Sequence, residues 1–407
     1  MSQSAPVRER GLTAPLLVTL ALLSAVAPFA TDLYLPAFPQ MTTDLDTSAT
    51  TVQLTLTGFL VGLAVGQLGF GPISDRFGRR TPLLAGAVLC VVASVVTVLA
   101  PTVEVLVAGR VLQGFAGAAG VVIGRAVISD VTSGSEAARA FSLLMIVGGV
   151  APVVAPVVGG FLAAPLGWRG VLGIVLALTV LMLVAVLAVV RETYPPERRT
   201  AGRATGSLRD LGSRVFVGRT LTFAFGFTVM MAYISASPFV YQTMMGVSEA
   251  AYGVLFAVNA LAIMASSATS ARLVGRVPAA RLLTIGVAVV ATGAVGVLVL
   301  AVSGLPAGWL AVALFVVTAG MGLVLGNATG LALQAVPRAA GTASAVLGAL
   351  QFGLAAVATP LVSLAGEDTA VPLGVVMVVA VAVAGLGLLV AGSGRSERVG
   401  VLVADEA

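Results

Sequence analysis

Asp32 is the residue whose chemistry contrasts most with its surroundings. It is a carboxylate in the run Ala30-Thr31-Asp32-Leu33-Tyr34-Leu35-Pro36, within an apolar stretch from Gly11 to Pro36. An ionised group at the depth of lipid hydrocarbon costs about 2.5–3.5 kcal/mol on insertion scales, so one that is kept there marks a functional site. A buried carboxyl can take up and return a proton: burial disfavours its charge and a nearby guanidinium favours it. The chain has no histidine, so a proton relay must run on carboxylates, and of its 17 acids only Asp32 lies well inside an apolar run. Arg110, in Leu106-Val107-Ala108-Gly109-Arg110-Val111-Leu112-Gln113-Gly114, is too deep in its own run to belong to a loop. At about seven residues from the outer end of its run, against about four for Asp32, its depth matches to within a turn, and an interaction between the two is expected. The bland alternative has Arg110 extending its head to the outer interface.

These residues must be positioned by membrane helices. The composition is 58% hydrophobic and 10% charged, and the mean hydropathy is +1.09, which excludes a soluble globular protein. Twelve apolar runs are present, at 12–36, 49–70, 81–100, 103–126, 139–163, 169–190, 219–241, 250–271, 281–302, 307–330, 341–364 and 371–392. Each has the roughly 20 residues needed to cross a bilayer core of about 30 Å. Lipid offers the backbone no hydrogen-bond partner, so the runs must be helices. The expected fold is therefore all-α, an integral membrane protein with twelve transmembrane helices. Cys90 is the lone cysteine, within the third run. It allows no intrachain disulfide, and there is no thiol cluster for a metal.

All 22 basic residues are arginine, and they set the orientation. With the N-terminus inside, twenty fall in cytoplasmic segments, Arg110 in the fourth helix and Arg169 outside. That asymmetry is a strong positive-inside signal and puts both termini in the cytoplasm. The pI near 10 therefore reports topology. Nucleic-acid binding would need a soluble basic domain, and none is present. Ser24-Ala25-Val26-Ala27 has the small residues of a signal-peptide cleavage site, but Pro28 follows and the apolar run continues, so the segment is expected to stay. The lysine-free, Ala/Val/Arg-rich composition points to a GC-rich bacterium, and hence to a bacterial cytoplasmic membrane.

The longest hydrophilic interior stretch, Arg191 to Gly218, carries Pro195-Pro196 and several glycines and reads as a connector. It divides the chain into residues 1–192, a linker at 193–218, and residues 219–407, with six helices on either side. Gly78-Arg79 and Gly275-Arg276 recur at an offset of 197 residues, each in the loop after the second helix of its half. Two related six-helix bundles form the architecture in which a substrate sits between halves near the midplane.

Gly71-Pro72-Ile73-Ser74-Asp75-Arg76-Phe77-Gly78-Arg79-Arg80 resembles the loop signature, motif A, of the major facilitator superfamily. The segment around Arg110 resembles that superfamily's motif B. Gly148-Gly149-Val150-Ala151-Pro152-Val153-Val154-Ala155-Pro156-Val157-Val158-Gly159-Gly160 resembles the fifth-helix antiporter signature, motif C, with Ala155-Pro156 standing for the usual Gly-Pro. Together with Thr31-Asp32-Leu33-Tyr34-Leu35-Pro36-Ala37-Phe38-Pro39, and with the segments 232–242 and 252–259, the chain resembles the Bcr/CflA drug:proton antiporters over essentially all its length.

The resemblance implies two pseudo-symmetric bundles that export drug-like molecules in exchange for protons. Asp32 and Arg110 would couple to protons. Asp75, Arg76, Arg79 and Asp130 would form the inside gate, with Asp75 capping a helix that starts near Gly341-Thr342 and Arg79 pairing with Asp130. Pro152, Pro156, Gly159 and Gly160 would carry the antiporter signature, which accompanies exporters rather than uptake systems. Candidate substrate contacts are Tyr34, Gln113, Met230, Tyr233, Ile234, Tyr241, Asn259, Asn327 and Gln351. Aromatic and methionine residues at helical spacing in the seventh helix suit varied drug shapes, and equally suit ordinary helix packing. With no ATP-binding motif and no cofactor expected, the energy source is the proton gradient. The expected partners are a small-molecule drug, protons and the lipid bilayer, and the expected state is a monomer. Rival readings are a transporter of another metabolite and a sensor that keeps the fold without transport. A membrane enzyme would need a catalytic constellation that is not visible here.

Overall fold

Where each apolar run ends decides what sits at membrane depth. The computed structural model describes residues 12–194, 211–336 and 340–404. In chain order its helices are α1 (Ala14–Asp32), α2 (Phe38–Asp44), α3 (Ala49–Phe77), α4 (Arg80–Val98), α5 (Val103–Val131), α6 (Gly134–Val189), α7 (Arg214–Pro238), α8 (Glu249–Leu273), α9 (Ala279–Val302), α10 (Gly308–Gln334), α11 (Ala340–Leu361) and α12 (Val371–Ala404). There is no strand among the described residues beyond one isolated bridge, Val274 to Val277. The 56 residues of α6 would span about 84 Å as one helix, far more than a bilayer core. The chain breaks at Gly167, whose φ of 65° lies in the left-handed region, so α6 is two spans. Counting α1 and α2 as one span then gives the expected twelve.

Two ends depart from the sequence reading. The first span does not stop at Pro36. After α1 the chain makes a short 3-10 turn, Leu35–Ala37, then α2, and the span reaches Asp44. Pro36 and Pro39 sit at the starts of these two pieces, where a missing N–H costs nothing. Asp32 is thus about a dozen residues from the outer end rather than about four, deeper than expected. Likewise α5 continues past residue 126 to Val131, so Arg125, at the edge of the expected run, lies more than a turn inside the helix end. The linker expected at 193–218 lies mostly outside the described residues. At its far end Ser213 caps α7, accepting from the Phe216 N–H at 3.3 Å.

Within the first half, α5 packs on α3 and α4, and α6 on α1 and α4. In the second half α10 packs on α8 and α9, and α7 on α10, α11 and α12. The halves meet through two related pairs, α3 with α11 and α6 with α8. Gly78 (φ 88°) and Gly275 (φ 97°) both turn their loops in the left-handed region, so the Gly-Arg repeat marks equivalent turns.

The bundle is closed at its expected outer end. Thr50 Oγ1 donates to the Ser363 carbonyl at 2.8 Å. Gln53 Nε2 donates to the Ser235 carbonyl at 3.1 Å and to Ser363 Oγ at 2.8 Å, and Gln242 Nε2 donates to the Pro36 carbonyl at 2.9 Å. At the other end the inner turns of α8 are exposed on several sides, from Met264 to Arg272. The cross-half hydrogen bonds hold the bundle shut at its expected outer end.

Small residues set the helix spacing. A Cβ at Gly62 would collide with the Val111 carbonyl, and one at Gly114 with the Phe59 carbonyl, so α3 and α5 touch backbone to backbone. Gly62→Ala is therefore expected to cost about 1–3 kcal/mol of stability through overpacking. A lowered unfolding temperature of purified protein in detergent is the expected result, whereas a wild-type temperature would show that α3 can move away from α5 at little cost.

Candidate functional site

α1 ends at Asp32, and the irregular backbone that follows turns this carboxyl away from the interior of its own half. Asp32 is 4% exposed and is the only buried acid among the described residues. It lies close enough to the hydroxyls of Tyr233 and Tyr252 for direct electrostatic interaction with both. These tyrosines belong to the second half, on α7 and α8, so Asp32 sits at the joint between halves.

The second half presents an aromatic wall to it. Tyr233 stacks on Phe256 with ring centroids 5.5 Å apart, and Tyr252 is 6.0 Å from both Tyr241 and Phe256. Polar partners hold the wall in place. Asn259 Nδ2 donates to the Tyr241 hydroxyl at 3.2 Å, Thr318 Oγ1 donates to Asn259 Oδ1 at 2.8 Å, and Ser237 and Tyr252 share a hydrogen bond of 3.1 Å. Three helices, α7, α8 and α10, are joined in this way. The Tyr233 hydroxyl, near Tyr241, makes no well-formed hydrogen bond although it is buried. On the facing α3, Gln53 Oε1 and Thr57 Oγ1, one turn apart, are likewise buried without partners. Orphaned buried polar atoms of this kind mark places where a ligand or water completes the site.

Arg110 differs from expectation. No ion pair joins it to Asp32 among the described residues. Its Nη2 instead donates to the Ala30 carbonyl at 2.8 Å and its Nη1 to Gln113 Oε1, and its guanidinium lies 4.5 Å from the ring centroids of both Tyr34 and Phe59. It is fully buried, so it does not extend to the interface. Two ring faces and two neutral oxygens carry its charge. Arg110 thus grips the backbone of α1 two residues before Asp32 and forms no ion pair with the carboxylate, whose neighbour is the Thr31 hydroxyl.

The other sequence candidates divide into two groups. Tyr233, Tyr241 and Asn259 gather near Asp32, and Ile234 is buried beside them on α7. Tyr34 bonds Thr55 at 3.0 Å beneath Arg110, and Gln113 donates to Ser94 Oγ at 2.7 Å, so both are committed inside the first half. Asn327 donates to Ser270 Oγ at 2.7 Å, a joint between α10 and the inner end of α8 far from Asp32. Met230 and Gln351 are half-buried. Tyr252, Phe256 and Thr318 were missed as site residues. Tyr252 and Phe256 recur four apart on α8, a signal that was present in the sequence. A hollow of about 430 Å³ lined by Leu361, Leu364 and Val375 lies at the outer ends of α11 and α12, remote from this chemistry.

On the inner face, Arg79 collects the first half's loops. Its Nε donates to Asp130 Oδ2 at 2.9 Å, its Nη1 to Ser74 Oγ at 2.9 Å and to Asp75, and its guanidinium covers the Tyr194 ring at 4.4 Å. Burial alone pulls its pKa down, but hydrogen bonds to Asp130 and Asp75 and their charges outweigh this and raise it. Glu192 accepts from the Arg79 and Arg80 backbone N–H groups at 2.8 and 3.3 Å, so it serves as the cap of α4. Arg76 lies over Phe77, at the surface. Asp75 spends its charge on Arg79 within its own half. The expected cap of α11 by Asp75 adjoins residues 337–339, which lie outside the described ones.

In the fifth span, Gly159 lies against the Leu33 carbonyl, adjacent to Asp32, and Gly160 against the Glu249 carbonyl at the start of α8. On the α8 side, a Cβ at Gly253 would stand 2.5 Å from the Pro156 carbonyl. Residues 156–160 therefore pack against α8 and the end of α1 beside the carboxylate. Pro152 and Pro156 lie inside the helix.

Comparison with known proteins agrees with this arrangement. Residues 20–360 match the family described as Major Facilitator Superfamily. An uncharacterized MFS-type transporter of Bacillus subtilis, YdgK, is 38% identical over 373 residues, covering 90% of this chain and 92% of its own. A bicyclomycin resistance protein homolog of Haemophilus influenzae is 30% identical, covering 88% and 91%, and a chloramphenicol resistance protein of Pseudomonas aeruginosa is 32% identical, covering 92% and 90%. Among solved structures, a bacterial homolog of the human lysosomal transporter Spinster superposes with a TM-score of 0.74 at 18% identity, covering 97% of this chain and 98% of that one, a likeness of fold.

The fifth-span contact can be tested against the chain's low cysteine background, since Cys90 is fully buried. With Ser363→Cys as reporter, buried between the halves at the outer end, Gly160→Ala should raise labelling by a membrane-impermeant maleimide severalfold, because a methyl cannot fit against the Glu249 carbonyl. Unchanged labelling would mean that this contact does not hold the outer end shut.

Proposed function

The chain belongs to the major facilitator superfamily, and on that premise we propose that it exports drug-like small molecules across the bacterial cytoplasmic membrane in exchange for protons, as a Bcr/CflA-type antiporter. One observation carries the reading: Asp32, the sole buried acid among the described residues, stands without an ion pair at the joint between the halves, near the tyrosines of the second half. The drug-resistance names of two relatives support drug-like cargo.

The cycle follows from charge and access. An isolated carboxylate inside the bundle must hold a proton or meet a compensating group. With the inner side open, a substrate reaches the aromatic wall from the cytoplasm and takes over the space beside Asp32, and the proton leaves inward. The halves then rock. The hydrogen bonds of Thr50, Gln53 and Gln242 at the outer end break, and the site opens outward. A proton from outside neutralises Asp32 and releases the substrate. Arg110 keeps α1 in register throughout, by holding the Ala30 carbonyl. The tyrosine and phenylalanine faces supply area that tolerates many shapes, and the few fixed hydrogen-bond groups orient the cargo. The protein works as a monomer and needs no cofactor.

One carboxyl carries one proton, so exchange is expected one for one. A neutral drug then leaves against one inward charge and is driven by both pH gradient and potential. A dication moves one net charge outward, against about 2.3 kcal/mol per 100 mV. In proteoliposomes with pH gradient and potential set separately, wild-type protein should export neutral and singly charged drugs, and dications poorly. Asp32→Asn should abolish proton-driven export while the protein stays folded. Export by Asp32→Asn that still follows the pH gradient would refute the assignment, and robust, potential-independent export of a dication would demand a second proton site.

A further inference from the structure

Arg125 has no role in the cycle above, and its surroundings are unusual. Because α5 runs to Val131, Arg125 lies about 9 Å inside the inner end of the helix, within the span. The exposed side of α5 changes along its length. In the outer half Glu104, Val105, Ala108 and Leu112 are exposed, and in the inner half Arg125 and Ser129 are. At 3.6 residues per turn, Arg125 points ~140° away from Leu112, ~100° from Ala108 and ~60° from Glu104, so its exposure lies to one side of theirs. Its neighbours close the alternatives: Leu20 and Leu23 of α1 cover Gly120 and Gly124, and Asp130 is turned to Arg79. By helical phase Arg125 lies on the same face as Val107, which packs on Gly58 of α3. It also lies ~60° from Arg110, which reaches between α1 and α3, so its exposed head stands at the inner end of the groove between those two helices.

Arg125 is also without a partner. Among the described residues its side chain makes no hydrogen bond, ion pair or ring contact. Arg79 and Arg110 each have several partners. An arginine that merely extends to the interface would sit on the lipid-facing side. This one offers a complete guanidinium fork to whatever enters.

We infer that Arg125 is the anion-recognising residue of the inner vestibule, binding the carboxylate or a comparable oxyanion of an exported solute. The inference rests on the transport reading and deepens it by naming a cargo class. A planar guanidinium grips a carboxylate with two parallel hydrogen bonds, and a partly desolvated site strengthens both. Its placement suits such cargo, because the acid end is held at the inner half while the body reaches the tyrosines and stays clear of the Asp32 charge. The direction of charge movement agrees. A monoanion leaving as one proton enters moves two positive charges inward per cycle, the sense that an inside-negative potential favours.

The test is binding, which needs neither gradient nor turnover, so it can fail independently of the transport reading. Equilibrium dialysis of purified full-length protein at neutral pH would compare 4-biphenylcarboxylate with 4-biphenylcarboxamide, two probes of one shape. Wild type should bind the acid at least tenfold more tightly, and the preference should shrink in high salt. Arg125→Gln should bring the two probes to parity by weakening the acid alone, and Arg125→Lys should keep part of the preference. Equal affinity for the two probes in wild type, including no binding of either, would overturn the inference. So would a preference that Arg125→Gln leaves unchanged, or an equal loss for both probes in Arg125→Gln and Arg125→Lys, which would indicate a structural role. Loss of co-purifying phosphatidylglycerol in Arg125→Gln with acid binding intact would assign the residue to a lipid phosphate instead.

Discussion

A buried carboxyl group that no cation balances is the constraint on which the rest of this structure depends. Asp32 could have been neutralised by Arg110, which reaches the same stretch of α1. The structure keeps them apart: Arg110 is satisfied by carbonyl and amide oxygens and by the faces of Tyr34 and Phe59. A permanent ion pair would fix the charge on Asp32 and remove its freedom to exchange a proton. In the proposed antiport cycle, holding the guanidinium on neutral partners preserves that freedom while the backbone of α1 stays anchored.

Close packing beside Asp32 ties this group to the shape of the whole bundle. Gly159 meets the Leu33 carbonyl, and Gly160 meets α8 of the other half, so the small residues of the fifth span lie between the carboxyl and the outer closure. A change at the carboxyl is therefore transmitted to the interface that must open, through backbone contacts that admit little compression. The inner face is built on different forces. There Arg79, Asp75, Asp130 and Glu192 hold the loops of the first half together, with water close at hand, and Tyr194 brings the start of the linker into the same cluster.

The fold was legible because lipid enforces a single rule, that backbone groups be satisfied within each run, and twelve runs of the right length follow from it. Asp32 was legible for the same reason, since a charge in such a run is visible without coordinates. Its depth was not. Pro36 and Pro39 read as the end of a helix, yet each begins a further short turn that carries the chain outward. The depth of Arg125 was underestimated in the same way, because hydropathy fades near residue 126, one residue beyond it, while the helix continues another turn. The partners of Arg110 could not be read at all, because an aromatic face and a backbone carbonyl leave no mark in a sequence as a carboxylate would. Glu192 caps α4 from more than a hundred residues away, a pairing that only the fold creates.

The central claim is that Asp32 gives up its proton when substrate occupies the space between the halves. Infrared difference spectroscopy on purified protein observes this directly, as a protonated carboxyl C=O band lost on adding an exported drug. The band should be lost in wild type, shift on exchange into heavy water, and be absent from the difference spectrum of Asp32→Asn. A drug-induced carboxyl band that persists in Asp32→Asn, or a wild-type spectrum with no carboxyl change while drug binds, would contradict the account.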